Sequence, residues 1–307
     1  MIAFLFPGQG SQRPGMLRGV DALPGGSATI AEGNDIFGAD VRNADDVAAY
    51  RSTVAAQRAL FVAGVASARA LAAADVRADA VAGHSVGAFA AAVSAGALAF
   101  ADAARLVDLR ARLMQGAFAD GYAMGAVGGL DERAVTALAS LASNDDTPVY
   151  AANINAPDQV VVSGNTEAVN AVLDAARVRG ARSVRRLEVH VPSHTPLMRH
   201  IADELADAAA RVAVTTPAMR YASNADGRIV RDAEAVRGDL SASLTRPVRW
   251  YDATRALYES GVRLFVEMLP ATVLTELAAY AFPDARAVAL ETAGIASVAV
   301  LARRYVI

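Results

Sequence analysis

The chain has 307 residues, 54% of them hydrophobic, and a formal net charge of −3 with both signs interspersed. That length can bury a full core, as one large domain or as a domain carrying an insertion. The charge balance argues against a nucleic-acid surface. The absence of cysteine excludes disulfides, thiolate metal sites and a cysteine nucleophile.

Residues 2–6 are an apolar run that reads as a buried strand entering Pro7-Gly8. The run lacks the basic lead and long apolar region of a secretory signal, so a cytoplasmic protein is expected. A glycine-rich loop, Pro7-Gly8-Gln9-Gly10-Ser11-Gln12, follows. Residues 17–46 are rich in Gly and Asp and read as irregular with short helices. Residues 52–74 form a long helix with Ser52 or Thr53 near its start, and 78–82 a second strand. The uncharged stretch 80–101 is long enough to suggest a membrane span. Gly83, Gly87 and Gly96, with His84 and Ser85, divide it instead into strand, turn and helix, and no membrane partner is expected.

Asp102 is placed to cap a helix over about 103–118. Ala103, Leu106, Val107, Leu113, Met114 and Ala117 share one face of it, with Arg110 in the middle of that apolar arc. From Met124 the pattern becomes strand 124–127, helix 131–143, strand 149–153, strand 159–163, helix 166–179 and strand 183–189. This βαββαβ order predicts an inserted ferredoxin-like subdomain. An extended turn, Val191-Pro192-Ser193-His194-Thr195-Pro196, leads into a helix to about residue 212. Further elements are strand 219–223, helices 233–244 and 251–260, strand 264–267 and helix 271–282.

The chemistry centres on Gly83-His84-Ser85-Val86-Gly87 between a strand and a helix. This G-x-S-x-G pattern lifts a serine hydroxyl onto a sharp turn, beside N–H groups at a helix start. By that geometry the N–H of Val86 is one oxyanion donor, and the loop at Gly8–Gly10 can bring a second. That loop does not complete a dinucleotide fingerprint, and no phosphate-binding lysine motif occurs. A plain tight turn would use the same glycines.

A serine nucleophile needs a base, and the chain has four histidines. His84 adjoins Ser85 in the elbow and its side chain should diverge from the hydroxyl. His190 ends a strand and His200 lies within a helix. His194, in a rigid turn between two prolines, is the first choice and His190 the second. Arg110 has two readings: a buried ion pair with a protein carboxylate, or a bidentate clamp on a substrate carboxylate.

Taken together, these motifs resemble the malonyl-CoA:acyl-carrier-protein transacylase family. They include Asn153-Ile154-Asn155-Ala156-Pro157-Asp158-Gln159-Val160 and Pro247-Val248-Arg249-Trp250. The resemblance covers essentially the whole chain. It implies an α/β-hydrolase-like core of residues 1–122 and 190–307, with the ferredoxin-like subdomain at 123–189. It implies that Ser85 carries a malonyl ester, that His194 is base and acid, and that Arg110 grips the malonyl carboxylate. The backbone N–H groups of Gln9 and Val86 would form the oxyanion hole. No metal and no bound cofactor are implied. The substrate is malonyl-CoA, and the partner is an acyl-carrier protein bearing a phosphopantetheine-type arm.

Two departures matter. Gly87-Ala88-Phe89 replaces the usual Gly-Glu or Gly-Gln, and the surrounding run is more similar to the malonate decarboxylase epsilon subunit. That narrower resemblance predicts transfer to the decarboxylase's own carrier subunit; the alternative is the transacylase of fatty-acid or polyketide synthesis. Ser243 stands where the family commonly has a glutamine that orients the histidine. It can serve if the contact is made by its backbone carbonyl. A serine thioesterase or hydrolase would use the same pair, but the acids between Ser85 and His194 considered for a triad, Asp131, Asp145, Asp146 and Asp158, lie in the insertion. A non-catalytic carrier-binding module is the remaining alternative.

Overall fold

The computed structural model describes residues 1–118 and 120–305. In chain order the elements are β1 (Ile2–Phe6), α1 (Met16–Asp21), α2 (Gly26–Phe37), α3 (Thr53–Ala73), β2 (Ala80–Gly83), α4 (Gly87–Ser94) and α5 (Phe100–Ala117). Then come β3 (Tyr122–Gly128), α6 (Glu132–Ala142), β4 (Val149–Ala156), β5 (Gln159–Asn165), α7 (Thr166–Val178) and β6 (Ser183–Leu187). The chain closes with α8 (Arg199–Ala209), β7 (Arg220–Ala222), β8 (Ile229–Val230), α9 (Ala233–Ala242), α10 (Trp250–Glu259), β9 (Leu264–Glu267), α11 (Val273–Ala281), β10 (Arg286–Ala289) and α12 (Leu290–Ala302).

The first sheet has the order β10-β9-β1-β2-β7-β8. Its pairings are parallel except for β8 against β7. The strand period of two explains how it is covered. Ile2, Phe4 and Phe6 of β1 join the core cluster that includes α3, α4 and α5, whereas Ala3 and Leu5 join the cluster of α10 and α11. Val81, Leu264 and Val266 follow the first set; Ala80, Ala82 and Phe265 follow the second. A parallel sheet with apolar residues on both faces must be covered on both, and here it is. The register pairs Phe6 with Gly83, Leu5 with Glu267 and Ala82 with Ala222. The carboxyl ends of four strands therefore open on one side, where ligands bind in open α/β sheets.

The second sheet is antiparallel, in the order β4-β5-β3-β6. With α6 and α7 packed on it, this is the ferredoxin-like arrangement expected from the βαββαβ order. β4 of the second sheet is tied to the segment before α10 by Ile154 N–H to the Val248 carbonyl and Val248 N–H to the Ala152 carbonyl, both at 2.8 Å.

Three expectations change. Residues 26–37 form one twelve-residue helix rather than an irregular stretch. Its buried side is Gly26, Thr29, Ile30, Gly33 and Phe37; Gly33 permits the close approach to Val62 of α3, and Gly26 that to the Val20 carbonyl of α1. Asp102 is not a cap. The helix begins at Phe100, and Asp102 lies in its first turn, paired with Arg105. Finally β8, β10 and α12 have no counterpart among the predicted elements. The stretch 80–101 divides as expected into β2, elbow, α4 and the start of α5. Among the described residues only α3 is long and apolar enough to cross a membrane, and 78% of its apolar window is buried in the protein.

Candidate active site

β2 turns into α4 through His84, Ser85 and Val86. Both glycines of the motif are required by contact. A Cβ on Gly83 would lie 2.2 Å from the Gly87 carbonyl carbon, and one on Gly87 would lie 2.2 Å from the Phe6 carbonyl oxygen. Ser85 itself holds φ of 54°, and His194 holds φ of 63°. These are two of the three non-glycine residues with left-handed backbone among those described. Such conformations are costly for L-residues and persist only where surrounding bonds impose them.

Those bonds are visible. His84 N–H donates to the Phe6 carbonyl at 2.9 Å, and Ser85 N–H donates to Asn224 Oδ1 at 2.9 Å. The His84 ring turns away from Ser85, to Asn155 Oδ1 at 3.1 Å and Asn153 Nδ2 at 3.3 Å, with Trp250 beside it. The expected divergence is observed.

His194 comes to the Ser85 hydroxyl across 109 positions of sequence, with Nε2 at 2.8 Å from Oγ. Its Nδ1 lies 2.6 Å from the Ser243 carbonyl. A carbonyl can only accept, so Nδ1 carries the proton and Nε2 presents its lone pair to the hydroxyl. Ser243 is the C-cap of α9, where carbonyls are left without helical partners. Any residue could supply that carbonyl, so the missing glutamine costs this contact nothing. His190 and His200 are exposed and elsewhere. The four candidate aspartates take no part: Asp131 caps α6, Asp158 pairs with Arg182, and Asp145 and Asp146 are exposed.

Arg110 and His194 are each 2% exposed, whereas Ser85 is half-buried and reachable. Arg110 donates from one terminal nitrogen to Gln57 Oε1 at 2.6 Å and from the other to Ser85 Oγ at 3.1 Å. Its Nε has no partner among the described residues. No carboxylate forms an ion pair with it among the described residues, which removes the first reading from sequence. Burial lowers its pKa to about 9, so it remains a cation at neutral pH. A buried cation lacking a counter-ion beside a reactive hydroxyl is a socket for an anion.

The loop after β1 abuts the elbow, since a Cβ on Gly8 would meet the His84 carbonyl oxygen at 2.5 Å. Elbow N–H groups at 84, 85, 87 and 88 all have acceptors. Among the described residues those of Val86 and Gln9 have none, so both are available to a ligand oxygen.

Residues 3–301 match the model of the acyl transferase domain. The chain belongs to this family. It is 36% identical to the malonyl CoA-acyl carrier protein transacylase of Escherichia coli K12 over 282 residues, covering 90% of this chain and 91% of that one. A crystal structure of FabD from Acinetobacter baumannii superposes with a TM-score of 0.94 at 32% identity, covering 99% of both chains. A type II polyketide acyl-carrier protein in complex with its malonyl-transacylase, PlMCAT:AntF, gives 0.91 at 34%, again covering 99% of both.

In this acyl transferase three site residues escaped sequence reading. Gln57, fully buried in α3, also donates to Gln9 Oε1 at 3.2 Å and so links Arg110 to the loop after β1. A glutamine inside an apolar helical run was the available signal. Asn224 and Asp239, both buried behind the elbow, are the others, and nothing in their local sequence marks them. A carrier with an acidic face would need basic residues near the site; of Arg182, Arg185, Arg186, Arg246 and Arg249, three are paired, Arg182 with Asp158, Arg246 with Asp226, and Arg249 with Glu132 and Asp252. Arg185 and Arg186 are exposed on β6.

Burial above all, then the Arg110 charge, pushes the His194 pKa down to about 3; the Ser243 carbonyl opposes this. A lowered imidazole pKa keeps the neutral, proton-accepting form through mildly acid conditions. The expected result is that kcat/KM for a thioester substrate, which reports the free enzyme, does not fall between about pH 7.5 and about pH 5.5. An acid limb centred near 6.5, the ordinary imidazole value, would show a solvated His194 instead.

Proposed function

We propose that this chain transfers malonyl groups from malonyl-CoA, through an ester on Ser85, to the thiol of a carrier protein's phosphopantetheine-type arm. The observation that carries this reading is the Ser85 hydroxyl held between the His194 lone pair at 2.8 Å and an Arg110 guanidinium at 3.1 Å for which the described residues supply no anion. A hydrolase needs only the first of these contacts. The second fits an acyl group with a free carboxylate, and the transacylase names of the relatives support the same substrate.

In the proposed reaction Ser85 Oγ attacks the thioester carbonyl while His194 Nε2 takes its proton. The carbonyl oxygen, now anionic, receives the N–H groups of Val86 and Gln9. The C–S bond breaks, and the imidazolium returns its proton to the CoA sulfur. The second half runs in reverse: His194 takes the proton of the carrier thiol, the thiolate attacks the ester, and Ser85 regains its hydrogen. Arg110 holds the malonyl carboxylate throughout. The Ser243 carbonyl keeps the imidazole in the required tautomer.

The relatives favour the carrier of fatty-acid or polyketide synthesis over that of malonate decarboxylase. The sequence hint toward the decarboxylase rested partly on Ala88 and Phe89. Both are 1% exposed in α4, where they pack in the core and cannot read the carrier's arm. The test offers malonyl-CoA and two carriers, one with plain phosphopantetheine and one with a phosphoribosyl-extended arm. The plain carrier should be labelled faster. Preferred labelling of the extended arm would restore the decarboxylase assignment, and release of free malonate without thiol would indicate a hydrolase.

A further inference from the structure

The carboxylate of Asp239 is 4% exposed, on α9, and is not needed for any step of the proposed reaction. Every side-chain or backbone group paired with it is a donor. Ser223 Oγ lies at 2.7 Å, Ala225 N–H at 2.9 Å, the Tyr221 hydroxyl at 3.0 Å and Asn224 Nδ2 at 3.5 Å. These groups lie within residues 221–225, from β7 into the segment that follows it, so one acceptor gathers that whole segment. The longest contact has a chemical consequence. An amide has one donor end and one acceptor end. A carboxylate that only accepts draws the Nδ2 end of Asn224, which leaves Oδ1 facing the Ser85 N–H at 2.9 Å. The opposite orientation would set the Asn224 donor against the Ser85 donor and leave both unpaired.

That bond ties down the residue with the left-handed backbone. α9 also ends at Ser243, whose carbonyl holds His194 and whose N–H donates to the Asp239 carbonyl at 3.1 Å. A single helix thus reaches the Ser85 backbone through Asp239 and Asn224, and the imidazole through its C-cap carbonyl.

We propose that Asp239 is a positioning residue for acyl transfer: by orienting Asn224 it fixes the Ser85 backbone relative to His194. This rests on the reading of Ser85 as the residue that carries the acyl group. Asp239→Asn keeps the shape but puts a donor among donors and releases the Asn224 amide.

The experiment is a double-mutant cycle of Asp239→Asn and Asn224→Ala in the full chain. It is read as single-turnover formation of the malonyl ester by quenched-flow mass spectrometry, with KM for malonyl-CoA and the thermal midpoint measured alongside. Each single variant should slow ester formation about tenfold to a hundredfold, the cost of a small misplacement at the reacting atoms. KM should change less than about threefold. The double variant should be no slower than the worse single one, because both changes break one chain of contacts. A folded Asp239→Asn protein with the parental rate, or a double variant whose losses multiply, would overturn the proposal. If Asp239→Asn does not fold, Tyr221→Phe/Ser223→Ala/Asp239→Ala, which removes the acceptor together with two donors, carries the same comparison. Failure of that variant to fold would also overturn it, since the carboxylate would then act on folding alone. If the parent chain forms no ester, the reading of Ser85 falls, and this inference falls with it.

Discussion

Ser85→Ala abolishes malonyl loading. Incubated with excess malonyl-CoA, the intact variant gains no malonyl mass, and transfer to a carrier thiol drops by at least about 10⁴-fold, the scale seen when a covalent nucleophile is removed. The expectation follows from the proposed intermediate, which is an ester on this oxygen. Alanine keeps the elbow backbone, the Asn224 contact to its N–H and the α4 start, so the fold should survive. Only the two side-chain contacts, to His194 and Arg110, are lost. Thermal unfolding close to that of the parent separates loss of chemistry from loss of structure. Malonyl mass on the variant, mapped to another residue, would refute Ser85 as the carrier of the ester.

Arg110→Ala shifts preference from malonyl-CoA toward acetyl-CoA. Losing a charge-assisted pair costs about 1.5–3 kcal/mol, or roughly tenfold to a hundredfold in the ratio of kcat/KM values. The ratio is the informative quantity. Arg110 also donates to Ser85 Oγ and to Gln57, so its removal slows both substrates through the hydroxyl. That shared loss cancels in the ratio, and what remains is the interaction with the carboxylate that only malonyl carries. Arg110→Lys keeps a charge but not the planar fork, and should recover only part of the preference. An unchanged malonyl-over-acetyl ratio in Arg110→Ala would remove the carboxylate-binding role.

Much of the site was legible because its residue types are rare where they occur. A serine between two glycines at a strand end, a histidine held between prolines, and an arginine in an apolar helical arc each break the local pattern in a way that packing alone does not require. The structure brings Ser85, His194 and Arg110 together at hydrogen-bond distance. The residues that escaped notice are of two kinds. Gln57, Asn224 and Asp239 are ordinary polar residues that acquire meaning only from partners 53, 139 and 14 to 18 positions away. The orienter of His194 is a backbone carbonyl, which has no residue type to read. Likewise α2 was hidden because its glycines lie on the packed side, where their small size is the reason for their presence.

The sequence by itself determined the strand and helix periods, the elbow, the βαββαβ order of the second sheet and the three side chains of the candidate site. Those depend on local spacing and on residue chemistry, both written along the chain. Only the tertiary structure decided that Arg110 has no counter-ion among the described residues, that a carbonyl at the end of α9 orients His194, and that Asp239 stands behind Asn224. Pairing of buried polar groups is settled by which elements meet. That meeting is fixed by burial over both faces of one sheet, a property of the whole fold rather than of any segment.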